Sequence, residues 1–380
     1  MKRISLMAAA AAVACGLGPT LAHAQSSSVT LYGDIDEYLN YMSSSSGKKL
    51  KTVSDGAVMR SRIGFKGAEA VSSDLTVKFN LEAGLSSDTG TTAEASQSTG
   101  RFFDRQAWVG LASPTAGELR LGRQNTAIFT RGGNVDFTGR TLGSIVNNFG
   151  VPARLDNDIS WQSPVFNGLQ AEFHYAPGES STSGGSLAVY QYDIDYTVGP
   201  FKTNWAGLRA HPAANATTKK IVGYDNVNLV YDYGDGKLYG AFVRSNNITS
   251  GTNGNTAYNL LGGTGTLLST TMSATDAARY YNIWQLSGDY RVTNQLRVGA
   301  LWGKIIDTSH SGRNAKGGAI GAYYDWTKRT TFYALAETMS NDTNAGFRPF
   351  GSAAVSPNFT GSDVNGQKIS GAQLGVVHKF

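Results

Sequence analysis

Cysteine is nearly absent from this sequence. Among its 380 residues only Cys15 is a cysteine, and it lies close to the N-terminus. If the N-terminal segment is removed as a signal peptide, the remaining chain has no disulfide, no thiol nucleophile and no cysteine-based metal site. Proline is also scarce, at nine residues against 46 glycines and 18 tyrosines. This composition favours an all-β chain with many tight turns.

The first 24 residues have the three parts of an export signal. Lys2 and Arg3 form a positive start, residues 4–17 are apolar, and residues 22–24 form an Ala-x-Ala cleavage site. The apolar part is shorter than the roughly 20 residues of a membrane-spanning helix. Lipoprotein processing at Cys15 is the alternative, but the residues before it lack the usual leucine. The sequence therefore predicts a signal peptide at 1–24 and one domain at 25–380.

Strong charge of one sign and long hydrophobic runs are missing as well. Cleavage removes Lys2 and Arg3 and lowers the formal net charge from +5 to +3, with 31 basic and 28 acidic residues left. That excess is too small to indicate a nucleic-acid partner. No apolar run after residue 24 is long enough for a spanning helix. Such a chain can cross a membrane only as strands that close into a barrel.

Apolar and polar side chains alternate along most of the remaining chain. Leu75, Val77, Phe79 and Leu81 share one face of a predicted strand, and the polar residues between them share the other. Sixteen such segments occur, near 28–42, 57–69, 73–86, 101–113, 117–125, 157–163, 168–176, 187–199, 201–210, 221–233, 237–245, 280–291, 296–306, 317–327, 331–340 and 368–380.

Their connections alternate in length. Short turns such as Gly199-Pro200 and Gly234-Asp235-Gly236 alternate with long polar loops, notably 43–56, 87–100, 246–279 and 341–367. Aromatic residues cluster at strand ends, as in the girdles of a membrane barrel. A secreted β-sandwich is the alternative, but it would place few tyrosines on its outer face. The pattern predicts a 16-stranded antiparallel transmembrane β-barrel with short periplasmic turns and long extracellular loops.

Sixteen strands enclose a water-filled channel, whereas eight leave room only for side chains. The third loop, roughly 125–156, is more apolar than the other loops, with Phe129, Val135, Phe137 and Phe149. A loop of that composition is expected to fold inward and narrow the channel.

Several sequence fragments resemble the Gram-negative trimeric general porin family, in particular its beta-proteobacterial branch. They are Val29-Thr30-Leu31-Tyr32-Gly33, Ser61-Arg62-Ile63-Gly64-Phe65-Lys66-Gly67, Arg105-Gln106-Ala107-Trp108-Val109-Gly110-Leu111, Leu121-Gly122-Arg123-Gln124, the stretch 157–168, and Gly375-Val376-Val377-His378-Lys379-Phe380. The resemblance implies a homotrimer in the outer membrane, surrounded by its lipid, that passes small hydrophilic solutes and ions by passive diffusion. It also implies that Phe380 is part of the signal read by the outer-membrane assembly machinery.

Strand parity places a row of cations on the channel side. The predicted pore-lining residues are Arg60, Arg62, Lys66, Lys78 and Arg120, with Arg123 if a bulge turns it inward, and Arg131 and Asp136 from the third loop. Charge at a constriction sets the selectivity of a wide pore, and arginine stays charged at all relevant pH values. The expectation is a modest anion preference. The alternative is that wall carboxylates pair with these arginines and leave the pore nearly non-selective.

Other function classes find little support in the sequence. The histidines that survive cleavage, His174, His211, His310 and His378, are scattered, and no catalytic or metal-binding motif surrounds them. No enzyme activity, cofactor or metal is therefore expected. An adhesin or receptor role for the long loops, or a substrate-specific channel, remains an alternative to the general diffusion pore.

Overall fold

In the computed structural model of the protein, the described residues are 28–92, 101–148, 153–178, 188–211, 221–246, 279–349, 359 and 361–380. The predicted signal peptide at 1–24 lies outside them, as do 93–100, 247–278 and most of 350–360 in the predicted long loops. β-strands make up nearly all of the regular structure of the described part. Within it, no helix is long and apolar enough to cross a membrane.

The strands pair antiparallel into one closed sheet. They are β1 (Ser28–Ser44), β2 (Lys49–Asp55), β3 (Arg62–Ser72), β4 (Leu75–Ser86), β5 (Thr91–Thr92), β6 (Gln106–Ser113), β7 (Gly117–Asn125), β8 (Arg154–Gln162), β9 (Leu169–Ala176), β10 (Val189–Val198), β11 (Phe201–Ala210), β12 (Val222–Asp232), β13 (Gly236–Ser245), β14 (Tyr281–Arg291), β15 (Leu296–Asp307), β16 (Ala315–Asp325), β17 (Thr330–Asn341) and β18 (Lys368–Lys379). Apart from β2 and β5, each strand pairs with the next one along the chain, with β1 paired to β3 and β4 to β6. β18 pairs with β1 to close the barrel.

The barrel has sixteen strands, although the sheet contains eighteen segments. β2 and β3 together form one strand of the wall, and β5 is a two-residue segment outside it. β2 and β3 both pair with β1, along its residues 37–43 and 28–34 respectively. β5 pairs only with the end of β4. The predicted 16-stranded antiparallel barrel is thus confirmed.

The predicted start of the second strand is wrong. The sequence indicated a loop at 43–56 and a strand from 57, but β2 lies inside that predicted loop and only residues 45–48 connect it to β1. Residues 56–61 instead leave the wall, and the Ala57 carbonyl accepts a hydrogen bond from the Leu142 amide at 3.2 Å. β2 lies at the long-loop end of the barrel and carries polar residues on both faces. Its sequence therefore lacks the apolar-polar alternation by which the other strands are predicted.

Alternate residues of each strand face opposite sides of the wall. On β1, Val29, Leu31 and Leu39 are exposed on the outer face, whereas Asp36 and Asn40 are buried on the inner face. Apolar residues therefore face outward and polar residues inward, the reverse of a soluble core and the arrangement of a barrel in lipid.

The last residue helps to close the barrel. The Phe380 amide donates to the Gly33 carbonyl at 3.1 Å, and the Gly33 amide donates back to Phe380 at 3.2 Å. The Phe380 ring lies over Gly33, where an added Cβ would approach the ring to 2.4 Å. Glycine at position 33 is thus what allows the terminal aromatic to seat against β1.

The candidate pore constriction

The third loop folds into the barrel, as the sequence predicts. It begins with α1 (Ala127–Thr130), whose N-cap Thr126 accepts a hydrogen bond from the Phe129 amide at 3.2 Å. Two 3-10 turns follow, at Arg131–Asn134 and Ile145–Asn148. A capped first turn satisfies backbone donors that would otherwise point into the channel unpaired.

Glycines on the facing wall make room for this loop. A Cβ added at Gly299 would lie 2.4 Å from the Phe137 ring, and one at Gly303 would lie 2.9 Å from Ile145. Phe137 and Ile145 are almost completely buried there. The apolar side of the loop therefore packs against β15 and its neighbours, and the opposite side faces the open channel.

Asp136 holds the loop in its folded shape. Its Oδ1 accepts from the Thr138 amide at 2.9 Å, the Thr138 hydroxyl at 2.6 Å and the Arg140 amide at 3.2 Å. Its Oδ2 accepts from the Ser144 hydroxyl at 2.5 Å and from Gln285 Nε2 on β14 at 2.8 Å. With these partners the carboxylate, which is 1% exposed, acts as an internal brace of the loop.

Arg131 ties the other end of the loop to an acidic part of the wall. Its Nε lies 2.5 Å from Asp195 and 3.2 Å from Asp193 on β10, and its Nη2 lies 3.6 Å from Glu172 on β9. One arginine thus meets three carboxylates. His174 extends this network, since its two ring nitrogens contact Asp158 at 2.6 Å and Glu172 at 3.0 Å.

A cluster of four arginines lines the opening between the loop and the opposite wall. Arg60, Arg62, Arg105 and Arg140 all border one cavity, together with Phe129, Gly132, Gly139 and Thr141 of the loop. We call these four residues the arginine cluster. Four cations at one opening form a local field that attracts anions, because the low-dielectric walls focus it on the channel.

Carboxylates neutralise part of this field. Arg62 Nε lies 2.9 Å from Asp34, and its Nη1 lies 4.0 Å from Glu82. Arg105 Nε lies 2.6 Å from the other oxygen of Glu82. A third acid near them, Asp36, accepts hydrogen bonds from the Tyr333 hydroxyl and two backbone amides. The four arginines and these three acids together carry one net positive charge.

The other predicted wall cations lie nearer the short-turn end. Lys78 and Arg120 share Glu118, at 2.8 Å and 2.6 Å respectively. Lys66 lies over the Tyr32 ring, 5.1 Å from its centre. These residues face the channel on β3, β4 and β7, but they form a second group rather than part of the arginine cluster.

Arg123 is placed elsewhere. A register shift does occur between Gly122 and Gln124, but Arg123 keeps the parity of the outward-facing Leu119 and Leu121. Its guanidinium forms an ion pair with Asp156 and donates to the Asp104 carbonyl. Arg101 binds the same Asp156 at 2.7 Å, so this group is a separate paired cluster.

Sequence reasoning missed Arg105 as a channel residue. Continued alternation from β6 would give it the outward parity of Ala107, but it precedes the strand. The Asp104 carboxylate accepts from the Gly84 amide at 2.6 Å, and the turn held by this bond directs Arg105 inward. Asp104 is the sequence feature that could have suggested this change of direction, because aspartate side chains accept backbone hydrogen bonds in turns.

Comparison with known proteins agrees with this architecture. A family model described as "Gram-negative porin" matches residues 8–344. The chain belongs to the Gram-negative porin family. The Major outer membrane protein P.IB of Neisseria gonorrhoeae is 27% identical over 353 residues, covering 83% of this chain and 90% of the relative. An outer membrane porin protein of Bordetella pertussis is 25% identical over 363 residues, covering 83% and 89%.

Solved structures share the fold of this porin. The anion-selective porin from Comamonas acidovorans superposes with a TM-score of 0.72 at 21% identity, covering 93% of this chain and all of that one. The trimer form of OmpT from Vibrio cholerae gives 0.64 at 14% identity, covering 94% and 100%. The chain is accordingly an outer-membrane β-barrel porin.

Proposed function

We propose that this porin is a general diffusion channel for small hydrophilic solutes and ions with a modest preference for anions, and that it has no enzymatic role. The observation that carries the proposal is the arginine cluster, which borders the opening left by the inward-folded third loop. Arg140 comes from that loop and the other three come from the opposite side, so cations border this opening on both sides.

The preference is modest because acids accompany the arginines. Asp34 and Glu82 bind Arg62 and Arg105, and Arg131 is held among three carboxylates. A unit charge at roughly 6 Å in water contributes only about 0.7 kcal/mol, or about threefold in ion preference. An excess of one or two such charges biases the flow of ions without making the pore exclusive. The similarity to a structure described as an anion-selective porin supports this direction.

Planar-bilayer recording tests the proposal. The purified porin is inserted into a neutral membrane, and the reversal potential is measured under a gradient of potassium chloride. We expect large stable conductance steps and a reversal potential on the chloride side. A reversal potential on the potassium side would retain the channel and overturn the anion preference. Absence of conductance from correctly folded, heat-modifiable protein would contradict the pore function itself.

We further propose that the porin is a homotrimer. The outer face of β17 and β18 carries small side chains at its middle, where Ala336 pairs with Ala372 and Ala334 lies two residues before Ala336. Beside it the outward Glu37 carboxylate is buried without a hydrogen-bond partner among the described residues. A carboxylate at the middle of β1 is costly against lipid, so contact with other subunits is the better environment.

Replacement of Ala336 by arginine tests the trimer surface. Ala300, an outward alanine on β15, provides the matched control at a site of similar size. We expect Ala336→Arg to convert the trimer to monomers on gel electrophoresis without heating, whereas Ala300→Arg leaves trimers intact. Trimers of equal stability in both variants would exclude this surface.

Export and assembly complete the proposal. We propose that a signal peptide is cleaved after Ala24 and that Phe380 takes part in recognition by the assembly machinery. The closing contact between Phe380 and Gly33 supports the second of these roles. Mass spectrometry of the purified protein gives the cleavage site. Deletion of Phe380 is expected to lower the amount of folded barrel in the membrane.

A further inference from the structure

Two lysines on the outer wall lie directly opposite each other. Lys304 on β15 pairs in register with Lys316 on β16, and both side chains are exposed on the outward face. Like charges in such cross-strand positions repel one another and destabilise a sheet. Neither lysine has an ion-pair or hydrogen-bond partner in the described part of the chain. No described residue therefore relieves the repulsion.

Nearby acids are already engaged elsewhere. The Asp307 oxygens accept from the hydroxyls of Ser309 and Ser311 at 2.6 Å and 2.5 Å. Asp342 accepts from the Asn314 amide nitrogen at 2.8 Å. The outward residues of β14, β15 and β16 include no Asp or Glu. These three strands thus supply no counter-charge for the lysine pair.

Apolar aromatic surface adjoins the lysine pair. Trp284 is the register neighbour of Lys304 on β14, and Trp302 lies two residues before Lys304 on β15. The two tryptophans are 55% and 53% exposed. Phe242 packs on Trp284 with ring centres 4.5 Å apart, which extends the aromatic surface to β13. Exposed tryptophan at a barrel surface marks the level where lipid headgroups meet acyl chains.

The position along the strands agrees with a headgroup site. Lys304 lies three residues before the end of β15, and Lys316 is the second residue of β16. The loop between these strands is on the side of the long loops, at the outer leaflet. Arg244 adds a further cation on β13, held by Asn282 at 3.1 Å and by the Tyr280 ring at 4.8 Å from its centre.

From this juxtaposition we propose that Lys304 and Lys316, with Trp284 and Trp302, bind a phosphorylated lipid of the outer leaflet. The phosphate lies between the two ammonium groups and relieves their repulsion, and an acyl chain lies along the tryptophans. Phosphate bears the charge that two close lysines match, and the aromatic surface distinguishes a lipid from a free anion. This site lies outside the channel and is independent of the ion preference.

The first experiment measures lipid binding to the full porin in neutral detergent by native mass spectrometry. The probe is diphosphorylated lipid A, and the same lipid without phosphates is the comparison. The test variant is Lys304→Gln/Lys316→Gln, and the charge-matched control is Lys328→Gln/Arg329→Gln in a short turn at the opposite end. We expect about 25-fold weaker binding in the test variant, from roughly fivefold per lysine, and near wild-type binding in the control.

Several outcomes would overturn the proposal. The test variant could bind the phosphorylated lipid as tightly as the wild type, or the wild type could bind the dephosphorylated lipid as tightly as the phosphorylated one. Binding of inorganic phosphate alone with the same loss in the test variant would indicate an anion site without a lipid. A Lys304→Arg/Lys316→Arg variant is expected to retain binding, because the charges are kept.

Thermal unfolding separates this binding role from a structural role. Without lipid, the double glutamine variant is expected to be as stable as the wild type or more so, because the repulsion is removed. With the phosphorylated lipid, only the wild type and the arginine variant should gain stability. A test variant that is less stable, or less trimeric, without lipid would show that the lysines contact protein and would overturn the proposal. Single-channel conductance should be the same in all variants.

Discussion

Arg105 Nε lies 2.6 Å from Glu82 Oε1, and both side chains are only 4% exposed. Glu82 also accepts from the Tyr32 hydroxyl at 2.9 Å and lies near Arg62. One carboxylate therefore serves two members of the arginine cluster and holds their guanidinium groups in place. It also removes one unit of positive charge from the opening, so the same contact both orders the cluster and limits its selectivity.

Changes at Glu82 and at its second arginine partner, Arg62, should shift ion preference in opposite directions. Glu82→Gln is expected to raise the chloride preference about threefold, and Arg62→Gln to lower it by a similar factor, because each changes the opening by one charge. Reversal potentials under a salt gradient measure both effects. Lys328→Gln, in a short turn, is the control and should leave the potential unchanged. A shift of the same sign in the glutamate and arginine variants would contradict the electrostatic explanation.

The brace formed by Asp136 can be tested with a nearly isosteric replacement. In Asp136→Asn one carboxylate oxygen is replaced by an amide NH2 group, which is a donor. This donor then faces other donors, either those of Thr138 or those of Ser144 and Gln285. An unsatisfied buried polar group costs about 1–3 kcal/mol, and this cost falls on the folded loop. We expect noisier, larger conductance and faster hydrogen exchange at residues 132–148, with the barrel melting point little changed. Unaltered exchange in the loop would show that Asp136 is not needed for its shape.

The glycine niches under the loop allow a steric test. Gly299→Val brings side-chain atoms into the space of the Phe137 ring, so the loop must move away from β15 and the channel should widen. Gly240→Val on β13 is the matched control, because its Cβ would meet only Leu286, at 3.9 Å. We expect higher conductance in the first variant and wild-type conductance in the second. Equal conductance in both would mean that Phe137 does not position the loop.

The sequence is sufficient to predict the barrel, its strand number and the inward loop. Alternation sets which side of each strand faces lipid, and that is why Arg62, Lys78 and Arg120 are found on the inner face. Alternation does not predict which way a side chain points in the irregular segments between strands. Arg105 enters the channel through the turn at Asp104, and residues 56–61 leave the wall to meet the loop. Both depend on backbone hydrogen bonds between distant segments, which alternation does not record.

Long-range pairing also explains why Arg131 contributes less to the cluster than its place in the loop indicated. It is drawn to Asp193, Asp195 and Glu172 on the far wall, so its charge is neutralised there.

Arg131→Gln would leave these carboxylates without their cation, and the loss of one partner from a buried ion pair strongly destabilises the structure around it. We expect this variant to lower the chloride preference at least as much as Arg62→Gln, since it exposes acidic groups to the channel. It should also raise current noise, because the start of the loop loses its attachment. Arg131→Lys restores a cation but not the planar fork, so selectivity should recover more than the noise. Reversal potential and noise spectra from the same recordings measure the two effects. Equal recovery of both would show that charge alone, without the geometry of the guanidinium, attaches the loop.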